Sequence, residues 1–590
     1  MGTRSVLRAR MPQGDDGIGL LFVITAMMMA TLVAFSALGY ALNTQRSSRT
    51  NQDWNGALAA AQAGVDDYIG YLNRNDNYAR NGDDCTNLAL KGSRTPANTC
   101  SPAWTSTTAA GWKPIEPGDP NGAAFHYDID SSRLDSTGVV LVTSSGRARP
   151  TGPVRTLQVG VGRGGSTQFL YYTDHEDADP DNKAVYPSGM NAGCSKYWWQ
   201  PTRGRAGSLN CVEITFYGGD VLDGAVHTND TPLMTNNGSL KPKFLQGLET
   251  SDPNCKSAVP GNVATYTNCD RNGNGADYGT KWPVYADPKD LVDNSDQFAT
   301  FPGCQYKGAT RIKFTSDGKM QVWSKESATT AACGGTSPMG TTVNVPTDQV
   351  IYVTDGTAGE HMCAGGEIGD GLPLGTYTGA ATGNQTYDAN MKLATHNCGK
   401  GNVYVEGVLK GRVTVAAKNS VIVTGDLVMA GGLAGSDMLG LVATNSVEVY
   451  HPVLDTWECQ AWNSSHTRCN TWGWDGNTDE VAGWPHRYPD PDHSSAAFPA
   501  TGVQLTASIQ TLQHSFLVQS YKAGTQQGQL YVKGSLAQRW RGIVGQGNST
   551  GYLKNYSYDK RLRYASPPYF PQWTNAVWAA NYTGEIQPAY

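Results

Sequence analysis

The chain has 590 residues, including 69 glycines and 29 tyrosines, and charged residues make up only 16% of it. That composition describes a β-rich extracellular surface better than a helical cytosolic enzyme. A formal net charge of −6 gives no electrostatic case for nucleic acid as a partner.

The chain opens with a short tail, residues 1–16, carrying Arg4, Arg8 and Arg10. Residues 17–42 then run 26 positions without a charge or a proline, softened only by Thr25, Thr31 and Ser36. A bilayer core of about 30 Å needs about 20 apolar helical residues, so this stretch is long enough to span it with some tilt. Ile18, Leu20, Phe22, Met28, Leu32, Phe35 and Leu42 are its expected lipid contacts, and the tail is expected to be a cytoplasmic leader. Two alternatives are a buried core helix and a cleaved signal peptide cut near Ala37-Leu38-Gly39-Tyr40-Ala41. The apolar run of a signal peptide is about 7–15 residues, well short of this one.

Residues 43–75 contain no proline. Leu58, Ala61, Val65, Tyr68, Ile69 and Leu72 recur at spacings of three and four, which predicts an amphipathic stalk helix continuous with the span. Small residues around Leu58 (Ala57, Ala59, Ala60, Ala61, Ala63 and Gly64) permit close approach to another element.

An uncharged N-terminal span, a polar linker and then ALAAAQAGVDDYIGYL resemble the PilX-type N-terminal region of type IV pilin-like proteins. The family's alanine-rich segment falls here on Ala60-Ala61-Gln62-Ala63-Gly64. Pilins usually carry Glu five residues after a cleaved glycine; here Phe22 follows Gly17 at that distance and Gly19 follows Gly14. Further along, FLYYTDHEDADP, GGDVLDGAVHTND, GLVATNSVEVYHPV and YDKRLRYASPPYF resemble the large ectodomains behind such N-termini in actinobacterial surface proteins. The resemblance implies a membrane-anchored pilin-like protein whose partners are the membrane and other pilin-like subunits. It implies no catalysis.

Residues 76–165 are expected to be a pilin-like transition region, with strands at 138–145 and 154–161. Residues 166–545 show glycine, asparagine and aspartate turns between short apolar strands. At 401–454 three segments align without gaps at a period of 18, superposing Val403, Val421 and Leu439, then Val405, Val423 and Leu441, with Leu409 above Leu427. A side chain that recurs once per coil predicts a parallel β-solenoid; an antiparallel sandwich with regular hairpins is the alternative. Residues 546–590, aromatic and proline-rich, are expected to cap its open edge.

The cysteines are Cys85, Cys100, Cys194, Cys211, Cys255, Cys269, Cys304, Cys333, Cys363, Cys398, Cys459 and Cys469. Taken in order they form six neighbouring pairs, which suits local disulfides in an oxidising compartment, and no pair has zinc-knuckle spacing. The expected fold is therefore mainly β: one long transmembrane and stalk helix, then a disulfide-rich ectodomain dominated by a parallel β-solenoid.

No catalytic, cofactor or metal site is expected. Asp174, Glu176, Asp177, Asp179 and Asp181 would be the acids of a glycan-acting β-helix enzyme, but their setting reads as a solvated loop. His227 and His451 read as satisfied turn or core histidines. DRNGNG at 270–275 opens like a calcium loop, yet Lys281 stands where the bidentate Glu belongs. Lys560-Arg561-Leu562-Arg563 reads as a solvated edge. Trp198, Trp199, Trp457, Trp462, Trp472 and Trp474 sit on or beside stapled loops and could bind a surface glycan or a protein, or form small local cores. The functional expectation is a non-enzymatic minor, tip or assembly component of a pilus or related filament, anchored in the cell membrane with its ectodomain outside. The alternatives are a tethered glycan-acting enzyme and a permanent envelope adhesin.

Overall fold

The computed structural model describes residues 16–587 except 81–86, 91–111, 183–184, 187–193, 195, 200–210, 259–268, 271–274, 325, 327–332, 334–339, 360–397, 452, 455–456, 466, 475–478, 481–483, 493–501 and 523. One helix, α1 (Asp16–Arg74), runs unbroken for 59 residues. It ends where Asn75 turns extended and its side chain caps the next short turn. Everything else of note is β.

Two units divide the chain. The first runs through Ile129 and includes Val142–Val159 and the end from Thr583; the second comprises Asp130–Leu141 and Gly160–Tyr582. A five-stranded sheet follows the helix: β1 (Lys113–Pro114), β2 (Ala124–Asp130), β3 (Val139–Arg147) and β4 (Val154–Arg163) pair in that order. The strand Trp578–Ile586, from the far end of the chain, pairs beside β4.

The second unit is built on a ladder of parallel strands. Its register makes a column of nine buried residues: Cys304, Ile351, Val415, Leu441, Ile509, Leu536, Tyr171, Val226 and Leu248. Beside it Ile312, Val405, Val423, Val449 and Val518 make a second column. Each buried aliphatic residue contributes about 1.5–3 kcal/mol, so the columns form the main apolar core.

The columns correct the expected period. Val403 pairs with Val421, 18 residues on, but Val421 pairs with Val447, 26 residues on. Leu439 and Leu441 pair instead with Val413 and Val415. The longer coil carries eight more residues. Two lie in a bulge, where Val405 and Gly407 face Val423 and Leu427. Six lie in the turn between Met429 and Met438, against the two residues between Leu409 and Arg412. The same bulge sets Leu409 opposite Met429, not Leu427.

The chain does not climb the ladder in sequence order. β5 (Tyr171–Ala178) enters in the middle, with Gln526–Arg541 on one side and Val226–Thr228 on the other. The coils from Gly303 to Tyr558 approach from the opposite end, and Thr550–Tyr558 pairs with Val221–Asp223. The tail expected to cap the ladder from residue 546 therefore contributes a ladder strand, and its last strand joins the five-stranded sheet instead.

Candidate functional site

The two halves of α1 are both apolar but differ in what covers them. The most apolar 18-residue window, near the N-terminus, is entirely uncovered and apolar enough to cross a membrane. Leu20, Phe22, Met28, Leu32, Phe35 and Leu42 all present exposed side chains. Thr25, Thr31 and Ser36 return their hydroxyl hydrogens to carbonyls one turn back, so none of these three donors is left reaching outward. The structure describes no side chain for Ile18.

The second half is covered by β2 and β3. Ala57, Ala60, Ala61, Val65, Tyr68 and Leu72 are buried, whereas Leu58 and Ile69, expected at the centre of this face, lie half-buried on its flanks. The small residues place the face, because they let backbone meet backbone. A Cβ on Gly146 would stand 2.1 Å from the Ala61 amide nitrogen and 2.4 Å from the Ala57 carbonyl oxygen. Ser144 donates to the Ala61 carbonyl at 2.8 Å. Around this contact, Asp67 accepts from Lys113 at 2.6 Å and from the Tyr127 hydroxyl at 2.9 Å, and Arg155 forks onto Glu585.

The acids expected in a solvated loop lie in or beside β5, and Glu176, Asp177 and Asp179 are buried. Asp174, Glu176 and Asp179 are each held by named partners. Glu176 pairs with the fully buried Arg541 at 2.5 Å, and the Arg541 guanidinium stacks 3.6 Å from the centroid of the Phe216 ring. Asp174 accepts from Lys196 and Asn229. Burial alone would raise its pKa, but Lys196 and His175 hold it below the ordinary value. Asp179 holds His514 at 2.6 Å and accepts the Asp181 amide hydrogen. A loop reading failed because Glu176 and Asp179 meet partners more than 300 positions away, Arg541 and His514.

His227 is fully buried, bonded to Glu249 and Asn229 and stacked on Tyr172. His451 is buried with Nδ1 3.3 Å from the Gln519 carbonyl. Asp270 accepts the Tyr278 hydroxyl hydrogen, and burial pushes its pKa up to about 6. Residues 271–274 of that motif fall outside the described residues.

Three bridges join neighbours in sequence: Cys194 to Cys211, Cys255 to Cys269, and Cys304 to Cys333. Cys398 and Cys469 are also disulfide-bonded. Cys85, Cys100 and Cys363 fall outside the described residues. Trp199 is half-exposed, stacks on Tyr197 and donates to Asp252. Trp457–Trp462 and Cys469–Trp474 form an antiparallel hairpin on which Trp462 is exposed. The side chains of Trp457, Cys459, Trp472 and Trp474 fall outside the described residues. Lys560 and Arg563 are exposed as expected, but Arg561 is tied down by Asp559 and the carbonyls of Gly435 and Asp437.

These features define a class: a mainly β, disulfide-bonded chain with extensive parallel pairing and one helix suited to a membrane. No family model and no curated protein matches it. Among solved structures it is similar to the competence-associated pilin ComZ from Thermus thermophilus. The identity is 11%, over 90% of this chain and 97% of that chain, at a TM-score of 0.23. An overlap that loose carries no weight, and the function is argued from the chain's own residues.

Proposed function

We propose that this chain is a non-enzymatic, membrane-anchored pilin-like surface protein with a PilX-type N-terminus, acting as a minor, tip or assembly component of a type IV pilus or related filament. The observation that carries the proposal is the unequal covering of α1. One half buries nothing, and a continuous helix sets the other half against its own sheet. An apolar surface that large needs lipid or neighbouring helices around it. The first half is held in the bilayer before assembly and packs with other subunits afterwards, while the ladder, coiled as a solenoid, is displayed outside. The disulfides support an oxidising compartment for the ladder. The engagement of Asp174, Glu176 and Asp179 by structural partners supports a role without catalysis.

Cell fractionation and mass spectrometry of sheared filaments test this. The chain is expected in the membrane fraction and, at low abundance, in filaments. Recovery from the membrane alone, with normal filaments in a deletion strain, would leave the permanent adhesin. Recovery as a soluble secreted protein lacking residues 17–42 would refute the anchor.

A further inference from the structure

A cavity of about 640 Å³ in the second unit lies beside the place where the two ends of the ladder meet. Arg163, Lys281, Lys560 and Arg563 line it, against one carboxylate, Asp223. Asp223 is already engaged by the Gln246 amide at 3.2 Å, and Lys281 donates to the other end of that amide at 2.7 Å. Arg163 donates to the Ala576 carbonyl. No carboxylate pairs with Lys560 or Arg563 among the described residues, although the neighbouring Arg561 has one. The lining thus holds a surplus of positive charge beside a ring of neutral donors and acceptors: Gln168, Gln246, Gln572 and Asn581.

The walls are held in place by contacts between distant parts of the chain. Ser566 donates both its amide and its hydroxyl hydrogen to the Thr137 carbonyl, and the Tyr558 hydroxyl donates to the Thr167 carbonyl at 2.7 Å. Gly138 closes the short turn Leu134–Thr137 with a φ of 71°, and a Cβ there would come within 2.9 Å of the Ser566 hydroxyl. A side chain at that position would intrude on the wall.

We propose that this cavity binds a segment of an anionic glycan, a sugar or polyol chain bearing one carboxylate or phosphodiester per repeat. Its volume sits within the range of about 300–1,000 Å³ of ligand-holding pockets and is far larger than a bare phosphate needs. The four cations meet the charge, while the side-chain amides of Gln168, Gln572 and Asn581 match sugar or polyol hydroxyls. A single strand of nucleic acid is the less suited occupant, since it needs flat aromatic platforms for its bases and the lining offers only Tyr558 and Phe570.

The test is titration calorimetry on the full chain in nanodiscs of neutral lipid. The probes are galacturonate trimer, glycerol-phosphate trimer, neutral maltotriose and a thymidine trinucleotide. At least one of the first two is expected to bind, more weakly as salt rises; whichever binds more tightly tells a carboxylate source from a phosphodiester one. Lys560→Gln with Arg563→Gln, at exposed positions that leave the thermal unfolding curve unchanged, is expected to weaken that binding about tenfold. Absence of binding by both anionic trimers, equal binding of maltotriose, tighter binding of the trinucleotide, or unchanged affinity in the double variant would each overturn the proposal. None of these results bears on whether the chain enters a filament.

Discussion

The first half of α1 and the parallel ladder treat apolar and charged surface in opposite ways. The ladder covers almost everything it has, including the side chains of Arg541 and Glu176, which have no exposure. The first half of α1 covers nothing, though it is the most apolar run in the chain. The ladder is complete because residues far apart in sequence return to cover one another. The helix is incomplete by the same measure among the described residues. Charges can be afforded only where partners are fixed, and lipid fixes none.

The largest expected effect is inside the ladder. Arg541→Ala would strand Glu176 in an apolar interior, and removing one partner of a buried pair costs about 3–5 kcal/mol. Replacing both residues by methionine is expected to recover most of that loss. Chemical denaturation of the second unit checks both variants, and a mild Arg541→Ala would mean that the strand Gln526–Arg541 does not seat on β5.

Next comes the covered half of α1. Gly146→Val would drive a side chain into the helix backbone, an overpacking that costs about 1–3 kcal/mol. Hydrogen exchange is expected to rise at residues 57–72 and to stay unchanged in the ladder strands. Unchanged exchange at 57–72 would mean that the sheet does not cover the helix.

The smallest effect is a pH dependence within the ladder. Burial pushes the Asp426 carboxyl up to about 6, only partly offset by the amides of Gln504 and Tyr488 and by Arg487. Its folded pKa lies above the unfolded value, so the folded state takes up the proton first. Stability therefore rises as pH falls through about 6 and levels off near pH 4. Asp426→Asn removes that gain, so its deficit relative to wild type should be larger at pH 4.5 than at pH 7 by roughly 1–2 kcal/mol. Glu406 runs the other way. Burial raises its carboxyl, but the bond and charge of His486 and the bond and charge of Arg311 hold it below the ordinary value. Urea unfolding at the two pH values measures the Asp426 difference.

Local pattern made the helix, its two halves, the strands at 138–145 and 154–161, and the mainly β character legible from the residues. It also gave the first step of the ladder, Val403 over Val421, because nothing is inserted between those coils. The next step was hidden by eight residues that change the coil length without changing the alternation of Val447 and Val449. The junction of β5 with Gln526–Arg541 left no local sign, because pairing across some 360 residues depends on the folded whole. Glu176 and Asp179 were misread for the same reason: Arg541 and His514 are invisible from their neighbourhood in the sequence. The cations of the large cavity, Arg163, Lys281, Lys560 and Arg563, were separately visible, but nothing in the sequence brings them together.

The most direct measurement places nitroxide labels at Leu32→Cys and Gln62→Cys in the full chain in nanodiscs and compares relaxation by oxygen with relaxation by a water-soluble nickel chelate. The label at 32 should respond to oxygen and be shielded from nickel, and the label at 62, on the exposed face of the second half, should respond to nickel. Equal nickel exposure at both positions would contradict a membrane-held first half.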